Sequence, residues 1–90
     1  MRLAITYDVS DDANRRRVYR TLERHGAWRQ YSVFEVDVSK AERVELEDEL
    51  SNQIDESDGD RVRVYRLCES CLDDITDIGS DPPDDQSNVI

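Results

Sequence analysis

The apolar side chains of this 90-residue chain recur with two different periods, and the order in which those periods alternate leaves few folds open. In residues 2–8, "RLAITYD", Leu3, Ile5 and Tyr7 fall on one side and Ala4 and Thr6 on the other, the pattern of a strand with one buried face. Val18 and Leu22, four apart with Tyr19 beside them, then give a helix an inner face. Ser10, Asp11 or Asp12 can cap that helix, since their oxygens accept from the free N–H groups of its first turn. Gly26 is placed to end it. Residues 27–38, "AWRQYSVFEVDV", are predicted to form two strands with a tight reversal or bulge around Gln30 to Ser32. Phe34, Val36 and Val38 alternate there with Glu35 and Asp37.

Ser39 and Glu42 form the S-x-x-E pattern of a capping box, which starts a second helix with Leu46, Leu50 and Ile54 as its stripe. Val44 falls off that face. "DESDGD" reads as a turn and "RVRVYRL" as a strand with Val62 and Val64 on one side, while "CLDDITDI" is expected to add a short strand before Gly79. The order is β-α-β-β-α-β with an extra C-terminal strand. This is an α+β chain of ferredoxin-like type, an antiparallel sheet with two helices on one face. The fold hosts many functions and selects none. Residues 1–79 make the domain. Residues 80–90, "SDPPDDQSNVI", are acidic, lack periodicity and hold both prolines, so they are expected to be disordered when alone. Val89 and Ile90 could dock the tail on a partner.

A chain this short buries a modest core, which makes oligomerisation an expectation. No run of eighteen apolar residues exists and the N-terminus lacks the layout of a signal peptide, so a cytoplasmic protein without a membrane span is expected. The net charge is −10, from 22 acidic and 12 basic side chains, and Lys40 is the only lysine. Such a surface looks salt-adapted, because high ionic strength screens its self-repulsion; an ordinary acidic protein is the plainer alternative. The charge is uneven. Residues 1–34 carry seven arginines against four acids, a net +3, and residues 35–90 carry five basic against eighteen acidic side chains, a net −13. Clustered arginine is the usual electrostatic footprint of nucleic-acid binding. Its competitor here is a solvated helix face paired with neighbouring carboxylates.

Taken together, "YDVSDDANRRRVYRTLERHG", "QYSVFE" and "RVRVYRLC" through Ile78-Gly79 resemble the CRISPR-associated protein 2 family, the small partner of the CRISPR spacer integrase. The resemblance implies a ferredoxin-like homodimer sitting between two integrase dimers, with metal-dependent cleavage of single-stranded RNA or of DNA in some members. It places the family's metal-binding aspartate on Asp8, its arginines on Arg16 and Arg17, and its Ser-x-Phe element on Ser32 and Phe34.

One carboxylate per chain makes a weak Mg²⁺ site, because that ion wants six oxygens and keeps several waters. Two copies related by a two-fold axis at Asp8 would set two carboxylates around one shared ion. Arg15, Arg16, Arg17, Arg20 and Arg24 are then the candidates for phosphate contacts through their bidentate forks, with Arg29, Arg61, Arg63 and Arg66 on the strands as possible extensions. Asp8 read without the resemblance is a turn aspartate capping the helix. The expected function is CRISPR spacer acquisition with Mg²⁺-dependent endonuclease activity at Asp8. The alternatives are a structural adaptor without turnover and a toxin-like ribonuclease such as the virulence-associated protein D group.

Cys68 and Cys71 form a single C-x-x-C. A zinc site needs four ligands and His25 is the sole histidine, so two copies would have to meet to supply four thiolates. A redox pair usually opens a helix in a thioredoxin-like unit, which this chain is not. The plain expectation is two reduced, partly buried cysteines.

Overall fold

Alternation in residues 2–8 is realised as strand β1, Arg2–Asp8, in a computed structural model that describes residues 1–79. Helix α1 follows over Asp12–Glu23, then strands β2, Gly26–Gln30, and β3, Val33–Asp37. Helix α2 spans Lys40–Ser51, a single 3-10 turn covers Glu56–Asp58, strand β4 runs over Arg61–Leu67, and a short helix α3 spans Glu69–Asp73. The sheet has the order β2-β3-β1-β4 and all neighbours are antiparallel. This is the ferredoxin-like arrangement. The expected tail, 80–90, lies outside the described residues.

Caps set the helix boundaries as the sequence suggested. Asp11 accepts from the Asn14 amide at 2.9 Å at the start of α1. Ser39 and Glu42 close both halves of the capping box, at 3.2 and 2.9 Å. The Ser39 amide and hydroxyl hold the Glu42 carboxyl below its usual range. The "DESDGD" turn closes on Gly59, whose φ of +81° favours glycine.

Leu3, Ile5, Val18, Leu22, Phe34, Val36, Leu46 and Leu50 are all fully buried and join the sheet to α1 and α2. Each such side chain contributes about 1.5–3 kcal/mol through loss of apolar surface from water. Val62, Val64 and Ile54 pack against this core while half-buried, and Val44 stays 69% exposed, off the stripe as expected. Ile54 belongs to the turn after α2 and not to the helix itself.

Three local expectations are corrected. Gly26 does not end α1, which stops at Arg24 in ordinary helical geometry. It opens β2, where a Cβ would stand 2.0 Å from the Glu35 carbonyl oxygen, so glycine serves close strand contact. No strand forms in "CLDDITDI": its first three residues, Cys71 to Asp73, end α3, and the described residues hold no fifth strand. The cysteines, expected to be partly buried, are both exposed, and Cys68 caps α3. Between β2 and β3 both expected devices occur, a bulge between Trp28 and Gln30 and a tight reversal. Tyr31 takes a φ of +38° there and is held by the Trp28 indole N–H donating to its carbonyl at 2.8 Å.

Candidate functional site on the open sheet face

Strand alternation decides which side chains meet. Leu3, Ile5 and Tyr7 face the helices, so Ala4, Thr6 and Asp8 face the other side of the sheet. Across β1–β4, Asp8 stands opposite Arg61, Thr6 opposite Arg63 and Ala4 opposite Tyr65. Thr6, Asp8, Arg61, Arg63 and Tyr65 line a shallow depression of about 260 Å³. The Arg63 guanidinium lies 5.2 Å from the centre of the Tyr65 ring, which orients it by a cation–π contact. Asp8 is exposed, and its side chain makes no hydrogen bond or ion pair among the described residues. A carboxylate without a partner beside two guanidinium groups is poised for a cation or for the polar parts of a ligand.

The loop after Asp8 is fastened with unusual care for its size. Asp60, 5% exposed, accepts from the Ser10 amide at 3.0 Å and from the Asp55 amide at 2.9 Å. Those amides, Asp55 first, pull its carboxyl below the usual aspartate range. Arg15 donates to the Val9 and Ser10 carbonyls at 3.0 and 3.4 Å and pairs with Asp12. Sequence reasoning did not single out Asp60, because an aspartate after a turn carries no distinctive pattern. Arg15 was readable: it precedes Val18 by three and Leu22 by seven, which sets it on the buried stripe of α1.

The five arginines of residues 15–24 therefore divide. Arg15 fastens the loop, Arg17 donates to Asn14 at 2.7 Å, and Arg24 joins α1 to Glu49 of α2. Arg16 and Arg20, both exposed, make no ion pair among the described residues. All five belong to the helical layer, on the opposite side of the sheet from Asp8. The guanidinium groups that line its depression are Arg61 and Arg63, while Arg2 and Arg29 lie on the same face and pair with Glu35. Ser32 and Phe34 support Tyr7 and do not touch Asp8. The Ser32 carbonyl accepts from the Tyr7 amide at 3.1 Å. Phe34, fully buried, lies 6.4 Å from the Tyr7 ring and 5.1 Å from the Tyr19 ring, edge-on to the latter. Burial pushes the Tyr7 hydroxyl up to about 12, so it stays protonated at neutral pH.

No group of three or more His, Cys, Asp or Glu side chains gathers among the described residues. In the depression lined by Thr6, Arg61, Arg63 and Tyr65, one chain thus offers a single carboxylate, that of Asp8. That donor set fits Mg²⁺, which is commonly held by one or two carboxylates and several waters, and a second copy would add its own Asp8.

A four-stranded antiparallel sheet with its helices on one face, and the Asp8 carboxylate beside Arg61 and Arg63 on the other, defines a ferredoxin-like protein with a charged depression on the bare side of its sheet. The family model described as CRISPR associated protein Cas2 matches residues 1–75, and the chain belongs to that family. It is 47% identical over 90 residues to CRISPR-associated endoribonuclease Cas2 2 of Methanospirillum hungatei, covering 100% of this chain and 99% of that one. It is 40% identical over 86 residues to CRISPR-associated endoribonuclease Cas2 1 of Chloroflexus aurantiacus, covering 96% and 92%. Among solved structures, Streptococcus pyogenes Cas2 superposes with a TM-score of 0.77 at 31% identity, covering 88% of this chain and 100% of that one. A chain of a partial Cas6-RT-Cas1--Cas2 complex superposes with a TM-score of 0.72 at 31% identity, covering 86% and 83%. Among the described residues no helix is long and apolar enough to cross a membrane.

Proposed function

We propose that the chain acts in CRISPR spacer acquisition as a homodimer that bridges integrase dimers, holds nucleic acid by arginine–phosphate contacts, and cleaves single-stranded RNA or DNA with Mg²⁺ at Asp8. The observation that carries the catalytic part is the exposed, unpartnered Asp8 carboxylate set opposite Arg61 at the end of β1. Two relatives named as endoribonucleases support a nuclease, and a structural neighbour taken from a Cas1–Cas2 assembly supports an integrase partner.

Two Asp8 carboxylates facing each other would repel, and a shared cation removes that repulsion. A bound Mg²⁺ supplies a more acidic water and charge stabilisation on the attacked phosphate. This chain contributes the carboxylates that would hold the ion and, in Arg61 and Arg63, donors for phosphate oxygens on the same face. Arg16 and Arg20 form a second, outward-facing phosphate contact on α1.

The test is cleavage of single-stranded RNA and of DNA with Mg²⁺ or with chelator, comparing the wild type with Asp8→Ala. Activity should need the metal and fall roughly a hundredfold or more in the variant, since even outer-shell losses at metal sites cost 10–100-fold. Cleavage unchanged in Asp8→Ala would place the chemistry elsewhere. The adaptor reading is the second one, favoured by the neighbour in a Cas1–Cas2 complex. It predicts integrase capture by Asp8→Ala with no turnover in either protein.

A further inference from the structure

The proposed nuclease site uses neither cysteine, and the cysteines lie away from it, where β4 passes into α3. Cys68 is the N-cap of α3, and its Sγ accepts from the Cys71 amide at 3.4 Å. The two Sγ atoms stand 2.9 Å apart, so both side chains already point at each other, within about 1 Å of the roughly 2.05 Å of a disulfide bond. Ser70 Oγ lies 3.1 Å from the Cys68 sulfur. Both cysteines are exposed. A groove of about 500 Å³, lined by Arg2, Arg66, Leu67 and Leu72 among others, runs beside Cys68 and leaves room for a small reagent. Neighbouring thiols that touch, face solvent and sit beside an open groove are not a packing device.

We infer that Cys68 and Cys71 form a thiol–disulfide exchange site, oxidised to an intramolecular disulfide by a low-molecular-weight disulfide and restored by an excess of small thiol. The Cys68 thiolate attacks one sulfur of R–S–S–R, forming a mixed disulfide and releasing RS⁻, which takes up a proton. Cys71 then gives up its proton and attacks the Cys68 sulfur, releasing the second RS⁻ as RSH. The protein dithiol loses two electrons and two protons, and R–S–S–R gains both as two RSH. The roles are unequal. Hydrogen bonds from Cys71 first, then Ser70, bring the Cys68 thiol down to about 7, and the same contact pushes Cys71 up. Cys68 is therefore the attacking sulfur and Cys71 the resolving one. The disulfide would pin the first turn of α3 and so the direction in which the chain leaves β4.

The test uses the reduced full chain with glutathione disulfide at pH 7, quenched in acid and weighed by mass spectrometry. The wild type should lose two hydrogens without retaining glutathione. Cys71→Ser should accumulate one glutathione on Cys68. Cys68→Ser should react roughly five- to tenfold more slowly, the gain in thiolate fraction being partly offset by lower nucleophilicity. In concentrated urea the two variants should react at similar rates, because the folded geometry creates the asymmetry. Equal rates for the two variants in the folded protein would overturn the inference. So would a wild type that ends with two glutathione adducts or with disulfides between chains.

Discussion

Asp8 and Asp60 stand at the two ends of one cross-strand junction and do opposite things. Asp60 spends its carboxylate on two amides, Ser10 and Asp55, and is shielded from water. Asp8 faces solvent with its oxygens unclaimed among the described residues. Asp8→Asn should therefore leave the melting temperature nearly unchanged, within the ±0.5 kcal/mol typical of surface substitutions. Asp60→Asn should lower it. The folded Asp60 carboxyl titrates below its unfolded value of 3.8, so its stabilisation is complete above that pH and fades as acid passes the lower folded value. Melting curves between about pH 2 and 7 should show the gap between wild type and Asp60→Asn closing only in acid. A gap that persists unchanged at the acid end would mean Asp60 acts through packing alone. Arg15→Ala should cost about 1–2 kcal/mol by freeing the Val9 and Ser10 carbonyls, read in denaturant. Asp8 was legible from its place at a strand end within a resembling motif. Asp60 was not, since its importance lies in amides fifty and five residues away along the chain.

The elements of the chain follow local chemistry where periodicity and caps agree, and depart from it where packing intervenes. α1, α2 and all four strands were visible in the alternation and in the Asp11 and Ser39 caps. α3 was missed because "CLDDITDI" is rich in β-branched and apolar residues, while the helix is started by the Cys68 sulfur, three residues before that stretch. Gly26 was read as a helix stop, the habit of glycine, but its reason lies on β3, ten residues on. Gly26→Ala should then destabilise by about 1–3 kcal/mol, as overpacking against fixed backbone does. Gly59→Ala should also destabilise, by strain at φ +81° in open space. Chemical denaturation of both variants checks this, and a neutral Gly26→Ala would remove the close-contact account of β2.

At the scale of the whole molecule the charges sort by face. Arg16 and Arg20 point outward from the helical layer, while Arg61 and Arg63 share the bare face with Asp8. The sequence left all five arginines of residues 15–24 as phosphate candidates, and the side of the sheet on which each group lies depends on pairing between β1 and β4, which the sequence does not display. Replacing both Arg16 and Arg20 by alanine should weaken duplex binding and reduce the salt slope by about two, if each neutralises one phosphate. An unchanged slope would assign both to the solvated surface. The central claim is that two chains pool their Asp8 carboxylates around one divalent ion. Equilibrium dialysis with Mn²⁺ as a Mg²⁺ surrogate tests it most directly. The account predicts one bound ion for every two chains, abolished by Asp8→Asn, whereas one ion per chain, or binding that survives the substitution, would contradict it.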